Sequence, residues 1–135
     1  MKTIKLQIVT PEGVAYFDDV EMVGLRSIDG DIGILPHHTR LMTLMVPGEI
    51  MVRKNGRDQF LAVGEGLVDV TGQQVAIATD MAIQASNIDE TKVEEARRRA
   101  EARLRDKLSE EEVASVNASL ARSLAQLHVK RRRRQ

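Results

Sequence analysis

Apolar and polar residues alternate with a period of two along much of the first 84 residues. The first such run places Ile4, Leu6 and Ile8 on one face of the chain, which predicts a strand with one buried side. Turn signals rich in Gly, Pro, Asn or Asp separate the short apolar runs. The further predicted strands cover residues 14–16, 20–25, 31–35, 41–46, 50–53, 60–63, 67–70 and 75–78. Short strands without intervening helices favour an antiparallel β-sandwich or barrel, and we expect a sandwich over residues 1–85.

Three local patterns refine this prediction. Asn55-Gly56 separates two strand-like runs, and both residues tolerate the positive φ angles of a two-residue hairpin turn. Residues 41–46 are apolar except for Thr43, so we expect that strand to be buried on both faces. Gly64 and Gly66 form only a fragment of a dinucleotide-binding motif, and a bend or bulge between strands is the favoured interpretation.

The pattern changes near residue 85, beyond which the chain contains no Gly or Pro. Asp89 is the predicted N-cap of a first helix, with Ile88 as its hydrophobic staple on Val93. Ser109 and Glu112 form a capping box that restarts a second helix. One narrow apolar stripe follows each cap, at positions 93, 96, 100, 104 and 108 and at positions 113, 116, 120, 124 and 127. Residues 86–135 are therefore predicted to form an antiparallel helical hairpin that buries little apolar area and can detach.

The net charge of zero conceals an asymmetry between the two parts of the chain. Residues 1–84 carry 7 Lys and Arg against 11 Asp and Glu, whereas residues 85–135 carry 13 against 9. The second part ends in the basic tail at residues 130–134, whose five adjacent cations should repel one another and fray. Such a tail is either a clamp for an acidic partner surface or a solvated end, and the sequence leaves both interpretations open.

No catalytic or metal-binding motif emerges from the sequence. The chain has no Cys, which excludes disulfides and thiolate metal sites. His37 and His38 are adjacent in a strand-like segment, so their side chains should point to opposite faces and not share a metal. A phosphate-binding loop and a nucleophile elbow are both missing. No apolar run reaches the roughly 18 residues of a membrane span, so we expect no direct membrane insertion.

Several segments, taken in order, carry a resemblance to a known family. They are residues 6–12, 30–38, 41–44, 47–50, 62–70, 88–89 and 123–127, of which the most recognisable reads Gly30-Asp31-Ile32-Gly33-Ile34-Leu35-Pro36-His37-His38. Together they resemble the epsilon subunit of F-type ATP synthases over nearly the whole chain. The resemblance implies a β-sandwich followed by a two-helix hairpin, in a non-catalytic subunit of the rotor or central stalk. It also implies a peripheral position at the cytoplasmic face of the cell membrane, within the ATP synthase complex.

The resemblance further implies partners and contact residues. The sandwich would couple the gamma subunit to the ring of c subunits during proton-driven ATP synthesis. The loop at residues 30–33, with Asp31, would meet the c ring, and His38 and Thr43 would lie near gamma. The hairpin would extend into the alpha/beta catalytic head and restrain ATP hydrolysis. There the tail, including Arg131, Arg132, Arg133 and Arg134, would meet an acidic segment of the beta subunits.

Some bacterial members of the family bind ATP through an Ile-Asp-x-x-Arg-Ala segment and arginines of the second helix. The matching residues here are Ile88, Asp89, Lys92 and Arg122. Lys92 offers a point charge in place of an arginine fork, and Gln126 stands where a second arginine is expected. We therefore expect no required cofactor, and weak or absent ATP binding. The alternative from another class is a free-standing adaptor or nucleic-acid binder that uses the basic tail, although the acidic β-domain opposes nucleic acid.

Overall fold

A computed structural model describes residues 2–133 of the chain as ten strands followed by two helices. The strands are β1 (Ile4–Thr10), β2 (Gly13–Val20), β3 (Met22–Ser27), β4 (Gly30–Ile34), β5 (Leu41–Met45), β6 (Gly48–Lys54), β7 (Arg57–Val63), β8 (Gly66–Val70), β9 (Gln74–Thr79) and β10 (Ala82–Gln84), and the helices are α1 (Glu90–Arg103) and α2 (Glu110–Arg133). This is the predicted order of a β-sandwich followed by a pair of helices.

The strands pair in the order β10-β7-β6-β3-β5-β8-β9-β1-β2, and β4 adds to β3. A single residue pair, Ser27 with Met45, joins β3 to β5. This narrow junction divides the strands into two layers, β10-β7-β6-β3-β4 and β5-β8-β9-β1-β2. All strand pairs are antiparallel except β1 with β9, which brings the first strand beside one of the last.

The interior of the sandwich is aliphatic, as the alternation along the chain predicts. On β1, Ile4, Leu6 and Ile8 are at most 1% exposed, while the intervening Lys5 points outward. Burial of such side chains stabilises each by about 1.5–3 kcal/mol relative to exposure. The other fully buried members come from both layers and include Val20, Val23, Ile34, Ile50, Val52, Leu61, Val63, Val68, Val75 and Ile77.

The predicted turns between strands are confirmed. Asn55 and Gly56 have φ angles of 53° and 74° and join β6 to β7, because a two-residue hairpin turn of this type needs positive φ at both positions. The segment from Gly64 to Gly66 is a bend between β7 and β8. A Cβ atom on Gly66 would lie 2.4 Å from the carbonyl oxygen of Ala78, so close backbone approach accounts for that glycine.

Some strand predictions are wrong in their details. The strand at residues 41–46 is not buried on both faces, because Met42 and Leu44 are 65% and 51% exposed. The apolar run alternates in burial like its neighbours, but its outer face is left uncovered. His37 and His38 lie in a turn after β4, with φ of 67° at His37, so the opposite-face argument does not apply. The short strand β10 and the 3-10 turn Ala85–Asn87 are additions to the predicted elements, since three-residue elements carry little pattern.

Both predicted helix starts are confirmed. The Asp89 side chain accepts a hydrogen bond from the Lys92 backbone N–H at 3.2 Å. Ser109 and Glu112 bond reciprocally, at 3.1 and 3.3 Å, before α2. These bonds satisfy N–H groups that lack partners within the first turn.

The hairpin packs on the outer face of β7 through a second, small apolar cluster. Its buried members are Ala62, Ile88, Val93, Leu127 and Val129. The predicted stripes are only partly buried, since Leu104, Val113 and Leu124 remain exposed. The hairpin is therefore docked on the sandwich by a cluster far smaller than the sandwich core.

The expectation that the basic tail frays is wrong for the residues described. Helix α2 continues to Arg133, because the first tail residues have partners. The Lys130 ammonium donates to the Ala85 carbonyl at 3.3 Å, and the Arg131 guanidinium pairs with Glu90 and Glu94 of α1. The carboxylates beside Arg131 and Arg132 offset part of the repulsion on which the prediction rested.

Candidate partner-docking surfaces

The turn between β3 and β4 is a rigid, exposed tip. The Ser27 hydroxyl donates to the Gly30 carbonyl at 2.9 Å and accepts from the Asp29 N–H at 3.1 Å. Gly30 has φ of 120°, a value that L-residues rarely adopt. Ile28, at the tip, is 60% exposed. The turn thus holds an apolar side chain out toward solvent.

Asp31 stands beside this tip, but not in a loop. Residues 30–34 form β4, which corrects the expectation of a loop at residues 30–33. Asp31 lies opposite Arg26 in the register of β3 and β4, and the Arg26 Nε donates to its carboxylate at 2.9 Å. This hydrogen bond and the positive charge lower the pKa of Asp31. Both side chains remain largely exposed, so the ion pair lies at the surface.

An exposed apolar face lies on the layer that the hairpin does not cover. Leu44 of β5 is paired in register with Leu67 of β8, and Leu67 with Ala78 of β9. Met42 and Leu44 are more than half exposed, and Leu67 is 43% exposed. Near the β3–β4 tip this face opens into a cleft of about 830 Å³ whose lining includes Ile28. Contiguous exposed apolar area of this kind is typical of protein–protein contact sites.

The structure places the predicted gamma-facing residues next to this face rather than on it. Thr43 lies between Met42 and Leu44 and is half-buried toward the other side of β5. His38 precedes β5, is half-buried, and its Nδ1 lies 2.7 Å from the Thr39 carbonyl oxygen. Met42 and Leu44 are surface residues that the sequence pattern does not reveal. Their only signal is the apolar run at residues 41–46, broken by Thr43 alone, which by itself indicates complete burial.

The four residues of the predicted ATP site have different partners in the fold. Ile88 is 4% exposed and belongs to the cluster under the hairpin. The Asp89 carboxylate caps α1 through the Lys92 N–H. Arg122, on α2, donates to the Asp80 carboxylate at 3.1 Å. The Asp89 carboxylate and the Arg122 guanidinium therefore have internal contacts, whereas the Lys92 side chain is exposed.

The basic tail is also bound within the molecule. The Arg131 guanidinium pairs with Glu90 at 2.7 Å and with Glu94 at 2.9 Å, and Arg132 pairs with Glu49 of β6 at 3.4 Å. The two carboxylates raise the pKa of Arg131. Arg97 first, and Arg131 second, lower the pKa of Glu94. The side chain of Arg133 and the whole of Arg134 lie outside the described residues.

No group of three or more His, Cys, Asp or Glu side chains that could hold a metal ion occurs within residues 2–133. None of the helices in that range is long and apolar enough to cross a membrane. Each helix instead buries one side against the sandwich or its neighbouring helix.

Two family models match consecutive parts of the chain. Residues 3–85 match the β-sandwich domain of the ATP synthase delta/epsilon chain, and residues 86–131 match its long α-helix domain. The chain belongs to the ATP synthase delta/epsilon chain family. The free-standing adaptor or nucleic-acid binder considered as an alternative finds no support in these matches.

Curated relatives of this family member align along nearly their full lengths. The chain is 40% identical over 131 residues to an ATP synthase epsilon chain of Herpetosiphon aurantiacus, covering 97% of this chain and 96% of the relative. It is 42% identical over 126 residues to that of Chloroflexus aggregans, with 93% and 91% covered. For Bacillus velezensis the identity is 36% over 129 residues, with 96% and 98% covered.

Two solved structures share the fold of this family member. One is a chain from the cryo-EM structure of the Euglena gracilis mitochondrial ATP synthase, OSCP/F1/c-ring, with a TM-score of 0.73 and 21% identity, covering 93% of this chain and 79% of that one. The other is a chain from the Tetrahymena thermophila mitochondrial ATP synthase central stalk and c ring, with a TM-score of 0.64 and 11% identity, covering 96% and 97%. At these identities the likeness concerns the fold.

Proposed function

We propose that the chain is a non-catalytic epsilon subunit of the ATP synthase central stalk, which couples gamma to the c ring and restrains ATP hydrolysis. The observation that carries this proposal is the match of both family models, in order, along residues 3–131. The related folds occur in complexes described as F1/c-ring and central stalk. Such a complex would hold the chain peripherally at the cytoplasmic face of the membrane.

We assign coupling to residues 1–85 and regulation to residues 86–135. The apolar face with Met42, Leu44 and Leu67 would dock on gamma, because burial of these exposed side chains removes apolar area from water. The tip with Ile28 and Asp31 would contact the c ring, since it projects from the end of two strands. In this arrangement His38 and Thr43 lie beside the face that would dock on gamma.

Crosslinking in the assembled complex tests the assignment of surfaces. The chain has no cysteine, so Leu44→Cys and Thr43→Cys are single probes for gamma. Gln59→Cys, which is exposed on β7 in the other layer, is the matched control. We expect crosslinks to gamma from position 44, weaker ones from position 43 and none from position 59. Equal crosslinking from positions 44 and 59 would contradict the assignment.

Truncation tests the regulatory role. Removal of residues 86–135 should leave assembly and proton-driven synthesis intact, because the sandwich core does not include residues of the helices. ATP hydrolysis should rise in the truncated complex. Unchanged hydrolysis with normal assembly would refute the restraining role and leave the coupling role standing.

We also infer that ATP binds this subunit weakly or not at all, and that no cofactor is required. Asp89 caps a helix, Arg122 is paired with Asp80, and Lys92 lacks the fork geometry of arginine. Titration calorimetry of the full chain with Mg-ATP should show no tight binding. Tight binding that is lost in Asp89→Ala would overturn this inference.

A further inference from the structure

Three arginines on α2 contact four carboxylates on other elements. Arg122 pairs with Asp80 after β9, Arg131 with Glu90 and Glu94 on α1, and Arg132 with Glu49 on β6. Two of these contacts connect α2 directly to the sandwich, and two connect it to α1. We propose that these pairs form an arginine latch that holds the docked hairpin with the chain's own carboxylates, without a bound anion.

The position of Asp80 depends on a glycine in the facing turn. A Cβ atom on Gly64 would lie 1.7 Å from the Asp80 Oδ1 and 2.7 Å from its Cγ. The two turns are joined by hydrogen bonds: the Gly64 N–H donates to the Met81 carbonyl at 3.1 Å, and the Thr79 hydroxyl bridges the Glu65 and Met81 carbonyls. Because this backbone is fixed, an added Cβ would displace the mobile end of Asp80. Gly64 thus makes room for the carboxylate that meets Arg122.

The other end of the latch surrounds the apolar cluster. Glu49 is paired in register with Ala62, the buried residue of β7 beneath the hairpin, and its side chain is only 16% exposed. Glu94 is 17% exposed, although α1 is otherwise strongly polar. These partly shielded carboxylates interact with arginine more strongly than fully solvated ones would. The latch therefore adds charge pairs at the margin of a small hydrophobic contact.

The latch limits how readily Arg131 and Arg132 can bind an acidic partner surface. In the docked state Arg131 and Arg132 already have carboxylate partners, so an acidic surface must compete with Glu49, Glu90 and Glu94 for them. Removal of the arginines would weaken both the docked state and the partner contact. Removal of the carboxylates would weaken only the docked state. This last step rests on the proposed function, whereas the latch itself is testable on the isolated full chain.

Thiol labelling of Ala62→Cys measures opening of the hairpin. Ala62 is fully buried beneath it, and no other cysteine is present. In this background Asp80→Asn should raise the labelling rate about two- to fivefold, the effect of one partly exposed ion pair. Glu95→Gln on α1 is the matched control, because Glu95 is exposed and forms no ion pair among the described residues. Equal rates in Asp80→Asn and Glu95→Gln would overturn the latch.

Gly64→Ala separates geometry from charge. It should raise the labelling rate as Asp80→Asn does while leaving the net charge unchanged, and Gly72→Ala is the control because its Cβ would meet open space. Neither Gly64→Ala nor Asp80→Asn should have an effect in an Arg122→Gln background. An effect that persists there would come from the turn itself and would contradict the role of Gly64 and Asp80.

Two further measurements test the latch, one at raised salt concentration and one in the assembled complex. Raising the salt concentration should increase the labelling rate of Ala62→Cys when the latch residues are unsubstituted, because ions screen the ion pairs. The increase should be smaller in the Asp80→Asn variant. The same salt dependence with and without Asp80→Asn would count against the latch. In the complex, Asp80→Asn should lower ATP hydrolysis, whereas truncation of the hairpin raises it. If Asp80→Asn raises the labelling rate as predicted but leaves ATP hydrolysis unchanged, the latch is supported and only the restraining role is refuted.

Discussion

The substitution Leu127→Ala should release the hairpin without unfolding the sandwich. Leu127 is 3% exposed and packs with Ala62, Ile88, Val93 and Val129 in the small cluster beneath the helices. Removal of a buried leucine side chain to alanine costs about 2–5 kcal/mol where the surroundings cannot collapse. We expect the lower end, about 2 kcal/mol, because the hairpin lies at the surface and relaxes readily. This corresponds to a roughly 30-fold increase in the open population.

Leu124 provides the matched control for this experiment. It lies one turn earlier on α2 and is 48% exposed, so Leu124→Ala should change the opening equilibrium by less than about twofold. Labelling of Ala62→Cys reports the open population in both variants, and thermal unfolding of the sandwich should be similar in the two. Equal labelling rates for Leu127→Ala and Leu124→Ala would refute the idea that apolar packing of α2 on β7 holds the hairpin.

Three further predictions concern the surfaces of the docked molecule. Asp31→Lys should weaken coupling between proton flow and ATP synthesis, measured in membrane vesicles, while assembly with gamma remains normal. Leu44→Asp should weaken binding to gamma in a pull-down, by about tenfold if the side chain is buried there; unaltered binding would exclude this face. The contact between α1 and α2 should weaken as the pH falls below about 4.5, because Arg97 of α1 first, and Arg131 of α2 second, hold the pKa of Glu94 below that value. The stabilisation that ionised Glu94 contributes is present above its ordinary pKa and is lost when Glu94 takes up a proton. A labelling rate of Ala62→Cys that stays constant down to pH 3 would contradict this prediction.

Features set by local chemistry were predictable from the sequence. The turn at Asn55-Gly56 requires residues that tolerate positive φ, and the caps at Asp89 and Ser109 require side chains that satisfy free N–H groups. Such signals lie within a few residues of one another. For the same reason, the order of the β-sandwich and the two helices along the chain follows from the spacing of apolar residues, turns and caps.

Features set by which surfaces are covered were not predictable in the same way. The run at residues 41–46 reads as fully buried, and only the packing of the hairpin on the other layer leaves Met42 and Leu44 exposed. The tail at residues 130–134 reads as a repelling cluster, but its partners Glu49, Glu90 and Glu94 lie far away in sequence or on another helix. Periodicity along one segment contains no information about these distant neighbours.

A reversible lock on the hairpin tests the central claim most directly. The Gln126 side chain of α2 contacts Met81 at 3.1 Å, so Met81→Cys and Gln126→Cys in one chain allow a short, reducible crosslink in the docked state. ATP hydrolysis is then measured on the same assembled complex before and after reduction. We predict high hydrolysis while the hairpin is locked to the sandwich and a fall after reduction. Hydrolysis that is identical in the locked and reduced complexes would contradict the claim that a detachable hairpin restrains the enzyme.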